Sequence, residues 1–127
     1  MGMDQTVTFA GTAAPSWPAV RDLLQRHGFP VQVRMIDGQL AFPDEMPAEP
    51  WRELRVSSDA GMVTIRREQN RVALITWGNI DAPLQRTRNA LAWAFGQAGN
   101  GRIQTDQAEL AAADFLRSAD LPAEVRG

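Results

Sequence analysis

The most regular hydrophobic patterning lies in the middle of the chain. Residues 31–36 and 39–42 alternate apolar and polar positions on either side of Asp37-Gly38. Such a pair between two alternating runs signals a two-residue hairpin, because both central positions must accept a positive φ. In that register Met35 faces Leu40 and Val33 faces Phe42, while Arg34 and Ala41 point the other way. Three further runs follow at 52–57, 62–68 and 71–77, separated by the turn residues Ser58-Asp59-Ala60-Gly61 and Gln69-Asn70. With two-residue loops at 59–60 and 69–70, Leu54, Val56, Val63, Ile65, Val72, Leu74 and Thr76 fall on one face. Glu53, Arg55, Met62, Thr64, Arg66, Ala73, Ile75 and Trp77 fall on the other. Glu53 then stands opposite Arg66, a cross-strand ion pair worth about 0.2–1 kcal/mol. A slip of one residue at either turn would scatter the apolar set over both faces.

Helical periodicity flanks this meander. After a short strand at Thr6–Ala10, Ser16 reads as an N-cap, with Pro18 in the first turn where its missing N–H is harmless. Trp17, Val20, Leu23, Leu24 and His27 share one arc of the helix that follows, and Gly28 with Phe29-Pro30 ends it. Residues 43–51 read as a proline-rich acidic loop. Asp81 caps a second helix, 82–98, whose apolar stripe is Leu84, Leu91, Ala94, Phe95 and Ala98. Gly99-Asn100-Gly101 stops it. Residues 102–104 suit a short strand. Thr105-Asp106 with Glu109 then reads as the capping signal of a last helix to about Ala119, with Ala108, Ala111, Ala112, Phe115, Leu116 and Ala119 on one face.

These elements predict a single α+β domain spanning 1–127. Its order is β-α-β-β-β-β-β-α-α, an antiparallel meander of five to six strands with helices on one face. Residues 1–5 are expected to be a disordered arm, helix 105–120 to pack on helix 82–98, and 121–127 to form a tail. The element order resembles that of the TATA-box-binding-protein and helix-grip architectures, in order alone.

Composition narrows the chemistry. Lys, Cys and Tyr are absent and all 13 basic residues are Arg. Thiol nucleophiles, cysteine zinc sites, Schiff-base or phosphate-loop lysines and disulfides are therefore excluded. The N-terminal MGMDQTVTFAG lacks a secretory pattern, and no apolar run approaches the roughly 20 residues of a membrane span. With the Arg-only usage, this leads us to expect a cytoplasmic bacterial protein. A net charge of −2 disfavours general nucleic-acid binding.

Few residues carry candidate chemistry. His27 is the only histidine, and at a helix end it is expected to bond a late carbonyl. None of Ser16, Ser57, Ser58 and Ser118 lies in a nucleophile-elbow context. Asn79 and Asp81 are explained by capping, and Asp44, Glu45 and Glu49 by a solvated loop. Gly96–Gly101 follows a helix and opens none, so it is no phosphate loop. No catalytic residue, metal or cofactor is assigned. Two surfaces stand out. Arg34, Arg55, Arg66 and Trp77, with Gln32, Glu53 and Thr64, share the second sheet face, where arginines beside an aromatic suit an anion or a partner. Trp93 lies on the polar side of helix 82–98, opposite Leu84 and Leu91. It is read as a surface for a partner protein or a second copy, unless the last helix covers it. The expected function is a non-catalytic binding module; the alternative is a small anionic-ligand domain, with any enzyme resting on Asp and Arg.

Overall fold

The computed structural model describes residues 3–10, 14–42, 45–77, 81–105 and 108–126. Among these it has eight strands and four helices: β1 (Met3–Thr8), α1 (Trp17–Arg26), β2 (Gln32–Ile36), β3 (Gln39–Leu40), β4 (Glu53–Ser58), β5 (Gly61–Glu68), β6 (Arg71–Thr76), α2 (Ala82–Gly99), β7 (Arg102–Gln104), β8 (Glu109–Ala111), α3 (Ala112–Ser118) and α4 (Ala123–Arg126). The strands form one antiparallel sheet in the order β3-β2-β4-β5-β6-β1-β7-β8. The fold is thus α+β, with more strands than the five to six expected.

The meander register is the one its alternation dictates. Glu53 pairs with Arg66, Val56 with Val63, and Ile65 with Leu74. All seven positions assigned to the apolar face are buried. Helix α2 lies against that face, with α1 and α3 beside it. Residues Thr87 to Gly96 of α2 are buried without a break, because sheet, α1 and C-terminal segment surround it. Leu91, Ala94 and Phe95 are fully buried as expected, whereas Ala98 is exposed. Each large apolar side chain so enclosed contributes about 1.5–3 kcal/mol.

Capping follows the sequence closely. Ser16 accepts the Ala19 N–H, and Asp81 accepts the Leu84 N–H at 3.0 Å. Gly28 follows the His27 C-cap with φ 75°. At the end of α2, Asn100 takes the left-handed cap at φ 53°, and the Gly101 N–H donates to the Gly96 carbonyl at 2.9 Å.

Four expectations need correction. In the first hairpin Met35 does pair with Leu40, but β3 stops there and Phe42 lies exposed beyond it. Between Val33 and Met35 the β2–β4 ladder shifts by one residue, with Arg34 as the extra one. Such a bulge breaks strict alternation. Val33 therefore pairs with Val56 on the buried side, and Met35 pairs with Arg55 on the outer side. Second, the strand at the N-terminus begins at Met3, inside the arm expected to be disordered. Third, β7 pairs with the edge of β1 and β8 pairs antiparallel with β7, and the helix starts only at Ala112. The Thr105 hydroxyl accepts the Ala108 N–H and donates to the Ala108 carbonyl, so what reads as a capping signal makes a turn. Asp106 lies outside the described residues. Fourth, the expected tail docks: Leu121 and Val125 are buried, and Asn89 of α2 donates to the Asp120 carbonyl at 2.9 Å.

The acidic loop is held near its end by a residue of β5. Arg67, on the inner face of β5, donates through Nε to the Trp51 carbonyl and through a terminal nitrogen to Glu49, both at 2.9 Å. Its guanidinium lies 4.2 Å from the centre of the buried Trp51 ring. Glu45 accepts the Phe42 N–H. Asp44 lies outside the described residues.

Candidate binding face

Neighbouring strands of an antiparallel sheet place directly opposed residues on the same side. Three rows of the outer face follow. Met35, Arg55, Thr64 and Ile75 form one. Gln32, Ser57 and Met62 form the next, and Glu53, Arg66 and Ala73 the third. Helix α2 packs on the buried apolar side of the meander, whereas Arg55, Met62, Arg66 and Trp77 are all exposed. The face is open.

Trp77 follows the last residue of β6 and would extend the Met62 row by one position. Its indole nitrogen donates to the Thr64 hydroxyl at 3.1 Å, which draws the ring across the sheet over β5. Arg66 closes the other side, with its guanidinium carbon 5.7 Å from the ring centre. Arg66 is itself held by Glu53 at 2.9 Å. The ring thus has a fixed pose and is still 58% exposed. Thr64 and Ile75, in the same outer row as Arg55, are buried.

Glu53 is placed for that role by Asp37. The Asp37 carboxylate accepts the backbone N–H of Arg52 at 2.7 Å and of Glu53 at 2.8 Å. These bonds, that from Glu53 foremost, hold its pKa below the ordinary aspartate value. One residue therefore makes the hairpin turn and fixes the start of β4.

The other two arginines of this face, Arg34 and Arg55, have no acid partner among the described residues. Arg34 donates through Nε to the Ser57 hydroxyl at 2.9 Å. Arg55 makes no hydrogen bond or ion pair among the described residues. The four residues Arg34, Arg55, Arg66 and Trp77 thus stand on one surface. Met35 and Met62 join them. Met35 is not legible in the alternation because only the bulge at Arg34 turns it outward, whereas the place of Met62 opposite Trp77 follows from the register alone.

Trp93 does not belong here. It is 3% exposed, and its ring packs edge-on against His27 with centroids 5.0 Å apart. The expectation of an exposed Trp93 contact surface is corrected: α1 crosses that side of α2, so even its polar-looking face is interior. His27 is thereby fixed as a packing partner of Trp93 at the end of α1. Ser57 is engaged by Arg34, and Ser58 by Thr87. Asn79 lies outside the described residues. Among the described residues no three His, Asp or Glu gather as a metal site, and no helix is long and apolar enough to cross a membrane.

No protein family, curated protein or solved structure matches this chain.

Proposed function

We propose that this protein is a non-catalytic interaction module whose open sheet face docks an acidic segment of a partner protein bearing apolar side chains. The observation that carries this reading is the fixed pose of Trp77, mostly exposed yet held by Thr64 and Arg66. Exposed aromatics and arginines on a rigid support are the residue types that concentrate binding energy at interfaces. Among the described residues no acid pairs with Arg34 or Arg55, so carboxylates of a partner complement them. Met35 and Met62 supply adaptable apolar contact. The lack of any thiol or lysine, and the packing of His27 edge-on against Trp93, favour binding over catalysis. The all-Arg, cysteine-free composition fits a bacterial cytoplasmic setting.

The test is selection of displayed random peptides on the purified protein. Enriched sequences should combine Asp or Glu with apolar residues. Trp17, Trp51 and Trp93 are buried, so acrylamide-accessible emission reports Trp77. Bound peptide should protect that emission. Trp77→Ala and Arg55→Ala should each weaken binding by roughly tenfold or more. Peptides held equally well by both variants would refute the assignment. A concentration-dependent dimer in light scattering that Trp77→Ala abolishes would give the face to a second copy instead.

A further inference from the structure

A second site lies where four segments of the chain end together. The loop from Gly28 into β2, the β4–β5 turn, the first turns of α2 and the C-terminal segment from Leu121 enclose a cleft of about 940 Å³. That is within the size range of small-molecule sites, roughly 300–1,000 Å³. Three arginines reach it from three separate elements: Arg34 of β2, Arg86 of α2 and Arg126 of α4. Two acids, Asp59 and Glu124, also line it. The Arg86 guanidinium leans on Asp120 at 3.2 Å, and Arg126 donates to the Arg117 carbonyl.

The cleft is amphipathic. Hydroxyls form one part of its wall: Ser58 and Thr87 share a hydrogen bond of 2.9 Å, and Ser57 accepts from Arg34. Phe29, Leu121 and Pro122 supply apolar wall. The C-terminal wall is anchored, because Leu121 and Val125 are buried and Asn89 holds Asp120 through its carbonyl. A preformed apolar pocket with a few convergent donors is the usual form of a ligand site.

The geometry points to a binding site for a small organic anion, a carboxylate or phosphate on a compact apolar body. Arginines from separate elements bind the anionic group. Phe29 and Pro122 contact the body. The cleft shares Gln32, Arg34 and Ser57 with the margin of the partner-docking face, but Arg86 and Arg126 take no part in that face, and Arg55 and Trp77 do not line the cleft.

Amide chemical-shift mapping with benzoate, phenyl phosphate, inorganic phosphate and the neutral benzamide tests this directly. Benzoate or phenyl phosphate should shift the amides of Gly28, Ser58, Ala60 and Ala123, and benzamide should not. Whichever of the two binds more tightly identifies the anionic group. Arg126→Gln and Arg86→Gln should each weaken binding about tenfold. Arg126→Gln leaves the Arg86–Asp120 pair intact, which guards against loss of fold. Arg55→Ala and Trp77→Ala should bind these probes as the parent does, so the cleft and the docking face fail separately. Shifts centred elsewhere, equal shifts with benzamide, inorganic phosphate binding as tightly as phenyl phosphate, or no shifts at tens of millimolar (roughly the weakest affinity of so small a ligand) would each overturn the proposal.

Discussion

Replacing Arg67 by Ala should cost about 3 kcal/mol, more than any surface ion pair can explain. Three contacts are lost together. The bond from Nε to the Trp51 carbonyl joins a charged donor to a backbone acceptor beside a side chain that is only 11% exposed, and such bonds contribute about 1.5–3 kcal/mol. The guanidinium over the buried Trp51 ring adds about 1–2 kcal/mol. Its partner Glu49 is 55% exposed, so that pair contributes only about 0–1 kcal/mol. Water replaces part of what is removed, so the sum falls short of simple addition. With a urea slope of about 1.5 kcal/mol per molar, the midpoint should fall by about 2 M. Arg67→Lys should recover less than half, because one ammonium cannot bond both the carbonyl and Glu49 while stacking on the ring. Glu49→Gln should cost under about 0.5 kcal/mol. Release of the loop should also expose Trp51 to acrylamide. A midpoint for Arg67→Ala unchanged from the parent would refute this account. So would a Glu49→Gln loss as large as that of Arg67→Ala, which would place the energy in the ion pair.

Two smaller perturbations test how the face is positioned. Asp37→Asn keeps an acceptor and tolerates the φ of 49° at that turn, but loses the charge that strengthens both backbone bonds, and should cost about 1 kcal/mol. Because the folded-state pKa of Asp37 is lowered, its contribution is complete above the ordinary aspartate value. It disappears as pH falls through the folded value, so urea melts of parent and variant should converge only at acid pH. An unchanged acid limb in Asp37→Asn would count against that linkage. Gly101→Ala would set a Cβ 2.7 Å from both the Phe9 ring and the Thr8 carbonyl, and should cost about 2–3 kcal/mol in the same assay. Gly28→Ala meets nothing within 4 Å and carries only the strain of φ 75°, so about 1 kcal/mol is expected; equal losses at the two positions would show that packing at Phe9 is not the constraint.

The parts of the fold legible in the sequence were those governed by local rules. Alternation over three runs and two turns fixed the β4–β6 register down to the Glu53–Arg66 pair. Ser16 and Asp81 announced their helices because an N-cap needs only a side-chain oxygen and the next turn. Long-range competition decided the rest. Residues 102–104 and 109–111 became strands because the free edge of β1 offered ladder partners, with Ile103 facing Val7 and Leu110 facing Ile103. Trp93 sits among polar residues on a helical wheel. Yet Arg86 and Asn89 beside it are engaged by the C-terminal segment, through Asp120. A wheel shows which residues neighbour one another, not whether another segment covers them.

The bulge at Arg34 is the least legible feature and the most consequential for the surface. In strict alternation Val33 and Met35 would both face the core, and Ile36 would face out with Arg34. The extra residue instead keeps Val33 against Val56 and brings Ile36 against Leu54, so the buried face stays apolar on both sides of the shift. Met35 is then left on the outer face beside Arg55, which gives the docking surface an apolar margin at that end. Arg34, freed from the ladder, bonds Ser57, and both residues also line the cleft. One inserted position thus joins the open face to the cleft at its end. Both owe their shape to it, because the pairing of β2 with β4 sets where the loop from Gly28 and the β4–β5 turn meet.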